Sequence, residues 1–399
     1  MPTLSLQMLP LIASIFMLCC SNCLANLDNV YNIVSYTPLA LGEIDTTQAL
    51  LKAWSLACQS NTGGTVTVPK GTFLVNTVTF QGPCKGPMTF NVNGILKAPT
   101  TPSTGEDHWI LFSNVDGLTI SGKGVFDGQG PNAWITCKNG GSCPRRPASL
   151  KFNSVKNAKI EGISSINSKF FHFHIFGCEN FNVNGISIGA PGDSPNTDGM
   201  HISYSNIVQV SNVRIATGDD CISLGPGTTN INISSIICGP GHGISIGSLG
   251  GSPGEPPVRG IIVSDSTITG TTNGLRIKTF GPSPISTVSD VTFQNIIVNN
   301  VENPIIIDQN YCPHGSCGRQ DGGSQVRISN VKFINIKGKS ASEVSVSLAC
   351  SKRTPCQGIV LQDLGLTYKD SQAPTKATCS NFYGTFYGNQ VPQRCMIIA

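Results

Sequence analysis

"NAKIEGISSINSKFFHFHIFGCENFNVNGI", residues 157–186, writes one pattern twice. The run "NAKIEGI" begins at Asn157 and "NFNVNGI" at Asn180; "NIVQVSNV" follows from Asn206 and "NINISSI" from Asn230, so the starts lie 23, 26 and 24 residues apart. Each run alternates Ile, Val or Phe with polar residues, the period-two signature of a strand with one buried face. The runs "GIIVSDSTI", "DVTFQNIIV" and "VRISNVKFINI" extend the series to residue 336. A strand repeat at this period predicts a solenoid, in which each coil buries its apolar face only by stacking on the next. Leucine-rich repeats would need Leu at fixed offsets, and a sandwich would need hairpin turns in place of a sustained period; neither is present. The expected fold is therefore all-β: a parallel β-helix whose core is a stack of aligned Ile, Val and Phe.

Upstream of the repeats, "EIDTTQALLKAWSLAC" (residues 43–58) carries Ala49, Leu50, Ala53, Trp54 and Ala57 at helical spacing, with Asp45, Thr46 and Thr47 as capping candidates. A short helix here would cover the open edge of the first coil, which is otherwise free to pair with another chain. No further helical period follows. No linker rich in Pro, Ser or charge divides the chain, and residues 26–399 are expected to form one domain. Residues 1–25 contain no charged side chain, are apolar from Leu9 to Cys20 and end in small residues, as a secretory signal peptide does. The apolar run is shorter than the ~20 residues a membrane span needs.

The chain has 399 residues, of which 12% are charged, a formal net charge of +4 and 16 cysteines. Basic residues are scattered, with no Lys/Arg block interleaved with aromatics, so nucleic acid is not an expected partner. Thirteen cysteines follow residue 25, an odd number that suits structural disulfides plus one free thiol in an oxidising compartment. The spacing suggests Cys137 with Cys143, Cys312 with Cys317, Cys350 with Cys356, Cys379 with Cys395, Cys58 with Cys84 and Cys221 with Cys238, leaving Cys178 free. After residue 25 there is no CxxC pair and no Cys/His cluster at zinc-ligand spacing, and no metal or cofactor is expected. The sequon Asn232-Ile233-Ser234 is a candidate glycosylation site.

Against this charge-poor background, three acids crowd together: Asp198, Asp219 and Asp220. Asp219 lies 21 residues after Asp198, and His242 lies 23 after Asp219, each step about one coil. Since neighbouring strands are ~4.8 Å apart, these side chains would share one face. Clustered carboxylates split their proton affinities, so that one holds a proton while others stay ionised. Hydrolysis of a glycosidic bond needs that combination: an acid for the leaving oxygen and a carboxylate to activate water. Calcium binding and turn capping are the competing readings of such acids. Arg276 and Lys278, two apart on a strand, would place two cations on one face.

Four ordered motifs, "NTDG" (196–199), "GDDC" (218–221), "GHG" (241–243) and "RIK" (276–278), resemble those of the polygalacturonases of glycoside hydrolase family 28. The contexts "TGDDCISLGPG" and "CGPGHGISIGSLG" are most similar to its plant pollen-type members. The resemblance covers most of the chain and implies a right-handed parallel β-helix. It implies hydrolysis of α-1,4-galacturonosyl linkages in pectin with inversion, exo action being favoured over endo. Asp219 would be the general acid, Asp198 and Asp220 would position and activate water, and His242 would tune the acid. Asn196, Arg276, Lys278 and Tyr311, in "IIIDQNYCP", would bind substrate, with Arg276 and Lys278 on its carboxylate. The implied protein is a secreted, monomeric cell-wall enzyme whose partner is a pectic polysaccharide. A calcium-dependent pectate lyase and an inactive wall-binding β-helix are the alternatives. Two features sit less easily. Coil stacking suggests carboxyls closer than the ~6.5 to 9.5 Å usual for inversion, and "YTPLALGEIDTTQALLKAW" (36–54) lacks the glycine- and aspartate-rich run usual at the family's start.

Overall fold

The structure, a computed structural model, describes residues 29–37, 41–101, 105–138, 146–313, 323–369 and 373–395. The proposed leader, Cys143 and Cys317 lie outside these residues. The chain winds as a right-handed parallel β-helix, the hand that parallel crossovers almost always take. A typical coil has three straight segments, such as Phe173–Phe176, Glu179–Asn184 and Ser187–Gly189. The first joins an 11-stranded sheet, and the other two join a 20-stranded one. All pairing between the coils described is parallel; Thr367–Tyr368 against Ala373–Pro374 is antiparallel.

The repeated motif encodes the corners. Asn157, Asn180, Ile207, Asn230, Asp290 and Asn330 occupy one column and all adopt φ between 51° and 58°. Asn and Asp tolerate this left-handed region because their side chains hydrogen-bond locally. The Asn180 amide donates to Asn157 Oδ1 (2.7 Å), and the Asn157 amide donates to Asp116 Oδ1 (2.7 Å). The register corrects the alignment made from sequence: Asn180 faces Ile207, not Asn206, because Glu179 pairs with Asn206.

Between corners, alternate residues point inward. Met200, Ile222, Ile244, Leu275 and Ile305 form one fully buried stack, and Ile202, Leu224, Ile246, Ile277 and Ile307 another. Each such side chain contributes ~1.5–3 kcal/mol of burial, so the coils cohere by many repeated small contacts. Ring contacts add to the early coils, with Phe80 and Phe112 tilted at 5.1 Å between centroids and Phe112 and Phe152 stacked at 5.6 Å.

The expected helix is Thr47–Cys58, and Trp54 packs on Phe80 (5.0 Å) over the first coils. Its start is later than residue 43 because Leu41–Asp45 is a strand paired with the segment around Thr72–Leu74. Asp45 Oδ1 accepts the Thr47 N–H (2.9 Å), and the Thr46 hydroxyl instead donates to Leu74 O. A second helix, Pro131–Lys138, contradicts the expectation of none after residue 58. Its opening Pro is a recognised start signal, and Trp134 anchors it by donating to Ser168 O (3.0 Å).

The pairs Cys58–Cys84, Cys221–Cys238, Cys350–Cys356 and Cys379–Cys395 form as expected, and Cys178 is a buried free thiol. Cys137 and Cys312 are also disulfide-bonded.

Candidate active site

The site lies on the outer face of the 11-stranded sheet, where the segments entering four successive strands meet. These strands are Met200–Ser203, Ile222–Leu224, Ile244–Leu249 and Asn273–Phe280. The alternation that buries Met200 and Ile202 turns His201 outward, and the register aligns His201, Ser223, Ser245 and Arg276 in one outer row. Counting two residues back from the Met200–Ile222 pair places Asp198 opposite Asp220, and Gly199 N–H donates to Asp220 O (2.9 Å). The in-register partner of Asp198 is therefore Asp220, whereas the sequence spacing pointed to Asp219. Asp219 sits one residue aside and reaches the next coil instead.

Each acid has a different environment. Asp220 is almost fully buried and accepts from Ser245 Oγ (2.7 Å) and Arg276 Nη2 (2.8 Å) on Oδ1, and from Lys278 Nζ (2.8 Å) on Oδ2. Two cations thus hold one carboxylate, the arrangement that a buried charge needs. Asp219 Oδ1 lies 2.9 Å from His242 Nδ1 and accepts the Asp220 N–H (2.8 Å), while Asn196 Nδ2 donates to Oδ2 (3.2 Å). Burial pushes the Asp219 carboxyl up, but His242, Lys278 and the Asp220 N–H together hold it below the usual carboxylate range. The same bond raises His242, against the opposing effect of burial. Asp198 is the contrasting case. Burial first, and then the Asp219 and Asp220 charges, raise it well above the usual range, with Ser223 and Lys278 offsetting only part.

All eight residues singled out from sequence converge. Tyr311 closes the cationic end: Lys278 Nζ lies 5.3 Å from its ring centroid and the Arg276 guanidinium 6.0 Å, within cation–π range. Arg276 and Lys278 share a face as the i, i+2 spacing predicts, and both bind Asp220. Three further groups escaped the sequence reading. Arg146 is buried and donates to Lys169 O (3.1 Å), Pro195 O (2.8 Å) and Asn196 Oδ1 (2.8 Å), orienting the Asn196 amide toward Asp219. Ser223 and Ser245 donate to Asp198 and Asp220. A serine in an alternating strand carries no distinguishing signal, and Arg146 lies 50 residues from the Asn196 it orients. Nothing local marks either.

Asp219, Asp220 and His242 offer ligand atoms within 4.8 Å of one another. Both oxygens of Asp220 already meet cations, so the donor set favours protons and an anionic substrate over a further cation.

The family model for glycosyl hydrolases family 28 matches residues 58–389. An exopolygalacturonase of Platanus acerifolia is 45% identical over 91% of this chain and 97% of its own. One from Oenothera organensis is 45% identical over 88% and 98%. The crystal structure of endo-xylogalacturonan hydrolase from Aspergillus tubingensis superposes with a TM-score of 0.78 at 26% identity, covering 91% of this chain and 99% of that one. With its motifs gathered into one acidic cluster on a parallel β-helix, this chain belongs to glycoside hydrolase family 28.

Proposed function

We propose that this chain is a polygalacturonase, hydrolysing α-1,4-galacturonosyl linkages of polygalacturonate from chain ends with inversion. The observation that carries the reading is the pairing of Asp219 with His242 at 2.9 Å beside an Asp220 whose charge Arg276 and Lys278 hold. Exo action draws on the names of the relatives at 45% identity and on the loop 250–257. Glu255 folds that loop by accepting the N–H groups of Gly250, Gly251 and Ser252 (2.6–2.9 Å). Gly251 sits against Phe280, which contacts Tyr311 at the cationic end.

In the proposed mechanism the free site holds a His242 imidazolium against an Asp219 carboxylate. Sugar binding excludes water, and a desolvated ion pair gives way to the neutral pair; the proton moves from His242 to Asp219. Asp219 then protonates the glycosidic oxygen as the C1–O bond breaks. Water adds to C1 from the opposite face and loses its proton to Asp198. The raised proton affinity of Asp198 makes it the stronger base of the water-holding pair, while Asp220, tied to two cations, orients the water. Loss of the Asp219 charge also removes one of the influences that hold a proton on Asp198. Donors left on Arg276 and Lys278 face the galacturonate carboxylate, with Tyr311 and Asn196 against the sugar. Secretion to the cell wall, action as a monomer and glycosylation at the exposed Asn232 belong to the same proposal; the disulfides support the first of these.

The test is a product time course on polygalacturonate with excess chelator, beside Asp219→Asn. Galacturonate alone from the earliest points, abolished in the variant, is the expected result. Mixed oligomers would overturn exo action, unsaturated products lost with chelator would indicate a lyase, and full activity of the variant would overturn the assignment of the acid.

A further inference from the structure

We infer that His201 is a positioning residue for the attacking water: through Ser223 it fixes Asp198 as a proton acceptor. The geometry is a chain of two hydrogen bonds. The Ser223 hydroxyl donates to Asp198 Oδ2 (2.7 Å), and His201 Nδ1 lies 2.8 Å from the same hydroxyl oxygen. A hydroxyl has one proton. With that proton given to Asp198, the contact to His201 is a bond only if Nδ1 carries a hydrogen and donates it. His201 thereby forbids the reverse orientation, in which Ser223 would accept from a protonated Asp198 and stabilise its inactive form. The inference rests on the proposed role of Asp198 as the base.

The surroundings of His201 suit a donor that never becomes charged. Its ring stacks on Phe171 (centroids 4.8 Å) and lies 5.5 Å from His174 on the preceding coil. Burial, and after it the positive influence of His174 and Lys278, hold it down at about 3. His174 is itself held at about 4, chiefly by burial, with Lys151 pushing the same way. A neutral imidazole has one N–H, and the Ser223 contact places it on Nδ1. On the far side of the ring, Gly225 leaves room: a Cβ there would lie 3.3 Å from Nε2. His201 is thus held by Phe171, His174 and the Ser223 hydroxyl.

The comparison of His201→Phe with His201→Asn tests this. Phe keeps the stacking on Phe171 and loses the donor; the Asn amide nitrogen stands where Nδ1 stands, bonded to Cγ, and keeps it. Expected for His201→Phe are a kcat lowered about tenfold with KM little changed, a part of the ~10²–10⁴-fold that a base supplies. The acid limb of its kcat/KM profile should move up by about one pH unit, the scale of one hydrogen bond to a charged group. His201→Asn should restore both, and Ser223→Ala should match His201→Phe with no further loss in the double variant. An acid limb unmoved in a folded His201→Phe, or Asn behaving as Phe, would overturn the role. Nitrogen-15 chemical shifts of the imidazoles, assigned by loss of the His201 signal in His201→Asn, give a readout free of activity. A protonated Nδ1 supports the role, and a protonated Nε2 with bare Nδ1 overturns it. Asp198→Asn is the control: inactivity at every pH is expected, and retained activity would overturn the base assignment itself, whatever the tautomer.

Discussion

The two sheets of this solenoid share one core and differ entirely on their outer faces. On the 20-stranded sheet, Asn182, Gln209, Asn232, Ile262, Thr292 and Lys332 align coil upon coil, half-exposed or exposed, and the Asn182 amide donates to its neighbour Gln209. On the 11-stranded sheet the corresponding row is His201, Ser223, Ser245 and Arg276, and the serines are fully buried. Backbone, register and inward stacks are alike, so the fold itself does not distinguish a solvated ladder from a reactive centre. The difference lies in what borders the row. Segments 196–199, 218–221 and 241–243 bring their acids and His242 over it, and burial then makes each charge depend on a partner.

Substitutions should respond to that contrast. The largest effect is expected for Asp219→Asn, which removes the transferable proton. kcat should fall about a thousandfold, within the ~10²–10⁴ that acid catalysis supplies, while Gln209→Ala on the opposite sheet leaves kcat unchanged in the same assay.

Next is Asp220→Leu, which strands Arg276 and Lys278 without their anion. Breaking a buried pair in this way costs ~3–5 kcal/mol, measurable by urea unfolding, whereas Thr292→Ala should stay within ~0.5 kcal/mol. Stability restored to the level of the parent chain by the Leu would mean that the two cations find other partners and that burial is not what sets this face apart.

The pH profile has two limbs with opposite signs. Activity should be lost as pH falls through the raised value of Asp198, because the base becomes protonated. It should also be lost as pH rises through the raised value of His242, because the Asp219 pair then has no proton to give. In His242→Gln the alkaline loss should begin at lower pH, since Asp219 alone releases its proton earlier than the pair does. An unshifted alkaline limb would detach His242 from the acid.

The smallest effect sharpens the other half of the comparison. Ile207 is the branched member of the left-handed corner column, with φ 55° and 42% exposure. Left-handed backbone costs such a residue about 1–2 kcal/mol. Ile207→Asn should therefore raise stability by about 1 kcal/mol with activity unchanged, read as a higher urea midpoint. A lower midpoint would show that its side chain contributes more than the corner costs.

The alternation of Ile, Val and Phe with polar residues, repeated at a period near one coil, was sufficient to read the β-helix, because strand period is a local property. The short helix Pro131–Lys138 was not legible, since eight residues around one buried Trp134 carry too few apolar positions to show a period. Of the eight candidate site residues, the three acids, His242, Arg276 and Lys278 were legible from their spacing and residue type, whereas Asn196 and Tyr311 came only with the family resemblance. What only the tertiary structure decided is which coil positions face each other. Along the site, Met200, Ile222, Ile244, Leu275, Ile305 and Val346 succeed one another at steps of 22, 22, 31, 30 and 41 residues. Loops of varied length therefore shift the sequence distance between neighbours while the spatial step stays constant. That is why Asp220 and not Asp219 faces Asp198, and why Arg146, Ser223 and His201 join the site unannounced. The charge state of each acid was likewise undecided by sequence, because a carboxyl's proton affinity is set by burial and by the partners that folding brings to it.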